Sequence, residues 1–325
     1  MTIASRVTQM MQAPPIDNDP LEGVQGAERA GRLKADQVTR LRELAKKLPP
    51  LLIGVMASWV AYLIVVPYLC ATVSPWFLLA IPTVGLYIFG WLGYYRHELW
   101  HSYFPGLHNP TFYDVVSALL FSDPQVYRTC HPTHHKFIHT TRDLEFFTED
   151  YENNRSRRRR QYVLELLFGN IAWELYTFQR LHKEGRIRVV SARRSWFHRS
   201  LGVAALLIVA YLLDPMAPVY SVIVFVGTLW LGALLTRHNQ WLEHLGIVSD
   251  GDILQRNHLT RNLDKRSIAG KLCGFFTHED SDAHIYHHTD GRIPSRNTGL
   301  PLPDGALTIS MREYLGILVK HYREL

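Results

Sequence analysis

Two parts of the chain consist of long apolar stretches. Residues 48–95 form a run of 48 positions without Asp, Glu, Lys or Arg. A helix that crosses the hydrocarbon core of a bilayer needs about 20 apolar residues. The run therefore predicts two membrane-spanning helices, at about residues 51–73 and 76–95, joined by a turn near Ser74 and Pro75.

A second pair of apolar stretches lies at about residues 200–213 and 216–236, on either side of a turn at Asp214 and Pro215. The first of the two is short, and the pattern defines its start, near His198, poorly. One such run can be a buried helix of a soluble protein, but two close pairs favour membrane spans. The prediction is an all-α integral membrane protein with four transmembrane helices in two hairpins.

The remaining segments are more polar. Residues 1–46 are predicted to form a polar cytoplasmic segment, and residues 47–325 a membrane domain. Residues 97–198 and 237–325 would form a helical cap on the cytoplasmic side. Within this cap, apolar residues recur at helical spacing over residues 162–181, which predicts an amphipathic helix at the membrane surface or over a site.

Basic residues predict the orientation in the membrane. The two short turns, 72–75 and 214–218, contain no Lys or Arg. The segments on the other side contain many, including the run RSRRRR at 155–160 and further residues between 183 and 194. The positive-inside rule therefore predicts a multi-pass protein whose termini and active site are cytoplasmic.

The composition adds one unusual number. The chain has 325 residues, a net charge of +6, 47% apolar residues and a mean hydropathy of −0.06. These averages exclude a disordered chain, and three cysteines without a CxxC pair exclude a disulfide-rich scaffold. Membrane orientation explains the basic excess, so the charge gives no reason to expect nucleic acid as a partner. The 17 histidines, however, are about twice an ordinary share.

Eight of the histidines fall into three short groups. HELWH at 97–101 has the spacing HxxxH, whereas HPTHH at 131–135 and HIYHH at 284–288 have the spacing HxxHH. On a helix, positions i, i+3 and i+4 share one face, so each group is predicted to direct two or three imidazoles towards one point. Neutral imidazole binds iron, zinc and copper, and the repeated spacing therefore predicts a metal site.

Eight histidines are more than one metal needs, because a tetrahedral zinc site takes four ligands. Eight, with one more from elsewhere, suit two metals that each bind four or five nitrogens. The best further candidate is His244, just after the fourth predicted span, and His238 is its rival.

This pattern resembles the membrane fatty acid desaturase and hydroxylase superfamily, in which three histidine boxes lie on the cytoplasmic face of paired spans. The resemblance covers about residues 51–301 and extends to Thr140, Asp143 and Glu145 after the second box, and to EHLG at 243–246. It implies two iron ions as the cofactor and dioxygen as co-substrate. The ligands that it implies are His97, His101, His131, His134, His135, His244, His284, His287 and His288.

Side chains beside the boxes are candidates for supporting roles, and no catalytic residue is predicted beyond the metal site. Carboxylates can orient the imidazoles of metal ligands through hydrogen bonds. The candidates for this role are Glu98, Asp143, Glu145, Glu243 and Asp282. Relatives often have Asn four residues before the histidine of the fourth segment, where this chain has Gln240, with Asn239 beside it. These two are the candidates for a water-mediated contact with a metal.

The predicted function is oxygen-dependent desaturation of a long acyl chain. An unactivated C–H bond requires a strong oxidant made from dioxygen, and zinc has no redox chemistry to make one. The chain has no GxGxxG after a strand and no cysteine cluster for iron–sulfur. We therefore expect an external electron donor, a ferredoxin or a cytochrome b5-like protein by family analogy.

The substrate is expected to be a lipid or acyl thioester that reaches the site from the membrane. Aromatic residues near the boxes are candidate walls of its tunnel: Trp100, Tyr103, Phe104, Phe121, Phe146, Phe147, Phe275 and Phe276.

Other functions fit parts of the pattern. The boxes do not separate desaturation from hydroxylation or another oxygenase reaction on a lipid, alkane or carotenoid. Residues 97–101 also match HExxH, the signature of zinc metalloproteases. A protease leaves both HxxHH boxes unexplained, however. A metal transporter needs ionisable residues within its spans, and the predicted spans contain none.

Overall fold

The computed structural model is mostly helical. It describes residues 35–101, 107–146, 154–187, 189–264, 266–278, 284–285, 287–288, 302 and 305–325. The long helices are α1 (Ala35–Thr72), α2 (Leu86–Trp100), α7 (Val189–Leu213) and α8 (Ala217–His244). The shorter elements are α3 (Asn109–Leu119), α4 (Pro124–Phe137), α5 (Arg155–Phe168), α6 (Asn170–Lys183), α9 (Ile253–His258), β1 (Asn262–Leu263), α10 (Ile268–Thr277), β2 (Thr308–Ile309) and α11 (Met311–Glu324).

Four helical segments are long and apolar enough to cross a membrane, as predicted: Pro50–Thr72, Pro75–Trp100, Trp196–Leu213 and Ala217–His244. The second and fourth differ from the sequence prediction because they continue beyond the apolar run. The second carries His97 within its last turn, and the fourth ends at His244. The predicted fourth span and its histidine are therefore parts of one rigid helix.

The turn predicted near Ser74 lies where α1 ends. The Ser74 hydroxyl accepts a hydrogen bond from the Trp76 backbone, and a 3₁₀ helix, Pro75–Ala80, begins there. A π-helical turn, Ile81–Gly85, follows and leads into α2. Pro75 is the first residue of the 3₁₀ helix and Pro82 the second of the π-helical turn, positions at which a missing N–H removes no helical hydrogen bond.

Close contacts join α1, α2 and α8. The Tyr62 hydroxyl and the Thr228 hydroxyl are 2.8 Å apart, both buried between α1 and α8. Gly232 of α8 lies so close to the Phe89 ring that a Cβ atom there would clash with it. Small residues at such crossings allow close approach of helices in a membrane.

The amphipathic helix predicted at 162–181 is interrupted, because Gly169 separates α5 from α6. Gly169 has φ 55° and ψ −135°, a conformation that strongly favours glycine. A Cβ atom at this position would also collide with the Ala233 carbonyl of α8. The corner between α5 and α6 therefore packs directly on the backbone of the fourth apolar helix.

The C-terminal helix joins the fold through a short parallel pairing of β1 with β2, in which Asn262 lies opposite Thr308. Ser310 then caps α11 with a capping box to Glu313. Tyr314 of α11 packs with Tyr162 and Trp241 in one buried apolar cluster.

Candidate metal centre

The first two histidine boxes and His244 lie at the ends of helices. His97 lies in the last turn of α2, and His101 follows the helix directly. The second box occupies the last two turns of α4, which begins at an Asp123 cap. His244 is the last residue of α8. All nine predicted ligands fall within the described residues.

The nine histidines form two adjacent groups. In each group, one ring nitrogen per residue lies within 4.8 Å of the corresponding atoms of the others. The five-histidine group is His97, His101, His131, His135 and His287. The four-histidine group is His134, His244, His284 and His288. The first box directs both of its imidazoles to one group, as expected, but the expectation was wrong for the two HxxHH boxes, whose histidines are divided between the groups.

The HxxHH boxes are shared between the groups in a regular way. The outer pair of the second box, His131 and His135, belongs to the five-histidine group, and His134 belongs to the other. In the third box the assignment is reversed, because His287 alone joins the five-histidine group. A consecutive pair of histidines can face two sites because successive residues on a helix differ by about 100° in direction.

The spacing of nitrogen atoms in the five-histidine group fits a metal ion. The Nε2 atom of His131 lies 3.0 Å from that of His101 and 3.1 Å from that of His135. The Nε2 atoms of His287 and His101 are also 3.1 Å apart. Two ligands at right angles on one ion, at about 2.1 Å each, lie about 3.0 Å apart.

Buried carboxylates contact the opposite nitrogen atoms of three histidines. Glu145 lies 3.0 Å from Nδ1 of His131, and Asp143 lies 2.8 Å from Nδ1 of His134. Glu98 lies 3.1 Å from Nδ1 of His97. A carboxylate that accepts the Nδ1 proton leaves Nε2 as a lone pair, which is the form that binds metal. These are the contacts that the predicted orienting role requires.

The four-histidine group contains buried nitrogen atoms that need a cation or a donor. Among the described residues, both ring nitrogens of His284 and of His288 and the Nε2 atom of His244 have no hydrogen-bond partner. Buried polar atoms without partners are costly unless a ligand satisfies them. Both groups therefore fit metal ions.

Sequence reasoning missed His139, a histidine outside the boxes that contacts the four-histidine group. It is 1% exposed, and its Nε2 atom lies 3.0 Å from Nδ1 of His244. Its Nδ1 atom lies 2.7 Å from the carbonyl oxygen of Arg256, which can only accept. Nδ1 of His139 must therefore donate, Nε2 must accept from His244, and Nε2 of His244 is left as a lone pair.

The environment keeps most of the ligand candidates neutral. Burial, reinforced by repulsion from neighbouring histidines, lowers the pKa of His101, His131 and His135 below the ordinary value. His134 differs, because Asp143 and Glu145 outweigh the effect of burial and raise its pKa. A set of neutral imidazoles is the form that a metal cation selects.

Two buried arginines fix the end of α8. The guanidinium of Arg261 donates to the carbonyl oxygens of Trp241 and Leu242 in the last turn of α8 and to that of Leu245 just after it. Arg237 pairs with Glu165 of α5 at 2.6 Å and also donates to the Glu145 carbonyl. These contacts hold the end of α8 against α5 and the segment after the second box.

The remaining predicted site residues lie elsewhere or have other contacts. His238 belongs to neither group, since its ring nitrogens face the Tyr314 hydroxyl and the Leu166 carbonyl. Gln240 accepts a hydrogen bond from Arg237, and Asn239 lies 3.5 Å from the Cys273 thiol. Asp282 lies outside the described residues. Glu243 is buried beside the four-histidine group, with one carboxylate oxygen 3.8 Å from Nε2 of His244.

A largely apolar cavity of about 480 Å³ adjoins the five-histidine group. His97 lies in its wall, and α2, α6 and α8 supply most of the rest, including Gly93, Leu175 and Ala233. Of the aromatic residues expected to line a tunnel, Phe121 lines this cavity. Asn239 and Gln240 also lie in its wall.

The fold and the site define a helical protein with membrane-type helices and a nine-histidine centre beside an apolar cavity. A comparison with protein families gives a match to the fatty acid desaturase model over residues 73–299. The chain therefore belongs to the fatty acid desaturase family, which indicates an oxidoreductase with a lipid substrate and membrane association. Searches of curated proteins and of solved structures gave no match.

Proposed function

We propose that the protein is an oxygen-dependent desaturase that introduces a C=C bond into a long acyl chain at a histidine-ligated di-iron centre. The observation that carries this proposal is the division of nine histidines into two adjacent groups. Iron, when bound, supplies the redox chemistry that activates dioxygen. The five- and four-histidine groups would hold one ion each, through the residues named above.

The reaction balances with an external source of electrons. The acyl segment –CH₂–CH₂– loses two protons and two electrons as it becomes –CH=CH–, and the donor supplies two more electrons. With two protons from solvent, dioxygen is reduced to two molecules of water. The residues of this chain bind the metals, orient their ligands and hold the substrate.

The cavity supports a long apolar substrate. Its volume lies within the usual range of about 300–1,000 Å³ for ligand pockets, and its lining is mostly apolar. Ile171, Leu175 and Trp196 line it and are also exposed on the outer surface. In our proposal this surface faces lipid, and the acyl chain enters from the bilayer.

We propose that both histidine groups and the chain termini lie on the cytoplasmic side, with the four apolar helices in two hairpins. The basic residues support this orientation, because the short turns carry none. The run RSRRRR begins α5, and Arg155, Arg157 and Arg160 are exposed there. An acidic electron donor, a ferredoxin or a cytochrome b5-like protein, would bind this basic surface.

The second candidate is a hydroxylase or other oxygenase of the same superfamily. It uses the same centre, and the outcome depends on whether a second hydrogen is removed or oxygen is inserted. Thr140, Asp143 and Glu145 follow the second box as they do in desaturases, and this similarity favours desaturation.

Expression of the full chain with a suitable donor, followed by mass spectrometry of the host lipids, tests the proposal. We expect products that lack two hydrogens, and none when His134→Ala replaces the wild type. Products that gain an oxygen atom would establish the oxygenase reaction instead. Unchanged lipids with an iron-loaded protein and an active donor would refute both.

A further inference from the structure

One part of the wall of the apolar cavity is polar. It consists of residues from the end of α2, from the turn before α4 and from the first turns of α6. These residues, called the polar cluster here, are Arg96, Ser122, Asp123, Asn170 and Glu174. Ser122 and Asp123 are only 7% and 3% exposed. Ligand pockets that are otherwise apolar use a few such groups to fix the orientation and the identity of the ligand.

The Ser122 hydroxyl connects the members of the polar cluster. It accepts a hydrogen bond from Nη1 of Arg96 at 2.6 Å and donates one to the Glu174 carboxylate at 2.7 Å. The other carboxylate oxygen of Glu174 accepts from the Asp123 backbone N–H. Both oxygens of Glu174 are therefore engaged within the protein, and they hold α6 against the turn before α4.

Three buried atoms of the polar cluster have no hydrogen-bond partner among the residues that the structure describes. They are Oδ2 of Asp123, Oδ1 of Asn170 and Nε of Arg96. The other oxygen of Asp123 is used, since it accepts from the Gln125 N–H and caps α4. Asn170 lies one helical turn from Glu174, to which Asp123 is bonded, so these atoms belong to one place. Buried polar atoms of this kind are costly unless a ligand or a water molecule satisfies them.

The three atoms define the chemistry of a group that would satisfy them. Oδ2 of Asp123 and Oδ1 of Asn170 can only accept hydrogen bonds, whereas Nε of Arg96 can only donate. A hydroxyl group both donates and accepts, whereas an ester or ketone carbonyl cannot donate. The two carboxylates of the cluster interact with two guanidiniums, those of Arg96 and Arg199. Because these charges balance, the cluster favours a neutral group over an ion.

We propose that the polar cluster binds a hydroxyl group of the lipid substrate, so that the protein acts on hydroxylated chains. This inference rests on the proposed function and adds the substrate class to it. His97 lies in the wall of the same cavity, so a substrate held by its hydroxyl has its chain beside the five-histidine group. A hydrocarbon end at the polar cluster would leave the buried polar atoms without partners. This condition gives strong discrimination against analogues that lack the hydroxyl.

Binding of three neutral lipids to the purified full chain tests this inference without an electron donor, so it can fail while desaturation is observed, and the reverse. Hexadecan-1-ol donates and accepts hydrogen bonds, its methyl ether only accepts, and hexadecane does neither. Each competes in detergent with radiolabelled hexadecan-1-ol. We expect the alcohol to bind at least about tenfold more tightly than the ether and the alkane. Equal binding of all three, or no saturable binding of the alcohol, would overturn the inference.

Asp123→Asn sharpens the test, since it keeps the oxygen that caps α4 but replaces the acceptor Oδ2 by an N–H donor. We expect the alcohol to lose about tenfold in affinity, whereas the ether, which can accept from the new donor, loses none. Asp252→Asn is the matched control, because Asp252 caps α9 in a similar way and lies outside the cavity wall. Equal losses for the alcohol and the ether in Asp123→Asn, or no loss for either, would overturn the proposal.

Discussion

The Nε2 atom of His139 accepts a hydrogen bond from the Nδ1 atom of His244 at 3.0 Å, and this contact is buried beside the four-histidine group. Because the Arg256 carbonyl fixes the proton of His139, a backbone oxygen determines which nitrogen of His244 is free. The contact makes His139 a positioning residue.

His139→Leu should weaken iron binding at the four-histidine site by about 10–100-fold, the usual effect of losing the partner of a ligand. His139→Gln should recover part of this loss, because its side-chain oxygen can still accept from His244. Iron content and affinity are the measurements, and His182→Gln on the exposed face of α6 is the control. Equal iron binding in His139→Leu and wild type would contradict the role.

His134→Ala and His287→Ala should each abolish activity, although they belong to different groups. Each removes a ligand from one metal, and the proposed reaction needs both. We expect each variant to retain about one iron per chain, as measured by metal analysis. His182→Ala should behave as wild type, and a similar loss in that variant would weaken the ligand assignment.

Gly93→Leu should shift the protein towards shorter or thinner substrates. A Cβ atom at Gly93 meets nothing within 4 Å, so a larger side chain fits the fold and fills part of the cavity. Product profiles from lipids of different chain lengths provide the measurement. Gly54→Leu is the matched control, because Gly54 also has open space but lies outside the cavity wall. The same profile in both variants would show that this cavity does not hold the substrate.

Arg237→Met should destabilise the protein by about 3–5 kcal/mol, because it leaves the buried carboxylate of Glu165 without its partner. Thermal inactivation in detergent measures the effect. The double variant Arg237→Met with Glu165→Met should recover much of the stability, since no buried charge remains unpaired. A double variant as unstable as the single one would show that the other contacts of Arg237 matter more.

His321 should contribute a loss of stability in acid. Burial, reinforced by Arg261, lowers its pKa to about 4, whereas an unfolded histidine has a pKa of about 6.5. Between about pH 6.5 and pH 4, His321 binds a proton in the unfolded state but not in the folded state. The free energy of unfolding therefore decreases as the pH falls through this range. His321→Phe keeps a ring beside Tyr162 and should show a smaller drop in Tm between about pH 7 and pH 5. An identical drop in both proteins would exclude His321 as a source.

The sequence predicted the four apolar helices because their signal is local: about twenty apolar residues need no knowledge of the rest of the chain. It did not predict where they end. His97 and His244 are polar, yet α2 continues past His97 to Trp100 and α8 extends as far as His244. Likewise, the pattern at 162–181 does not show the break at Gly169, where Ala233 of another helix packs against the backbone.

The residues of the site were predictable, but their division between two groups was not. The HxxHH spacing predicts three imidazoles on one helical face, whereas contacts with distant parts of the chain decide which group each imidazole joins. His139 lies four residues after His135, a spacing that could have signalled a further member. Helix α4 ends before Ile138, and His139 has a positive φ of 57°. The imidazole of His139 therefore does not continue the helical face of the second box and approaches the four-histidine group from another direction.

The pairing of β1 with β2 has an entropic consequence for the third box. It joins Leu263 to Ile309 and so closes residues 264–308 into a loop whose two ends are fixed. The cost of closing a loop grows only with the logarithm of its length, by about 0.6 kcal/mol for each doubling. The third box, at 284–288, lies between the two paired strands along the chain and is therefore tethered at both ends. The strand pairing therefore gives the third box a high effective concentration near the other histidine ligands in the metal-free protein.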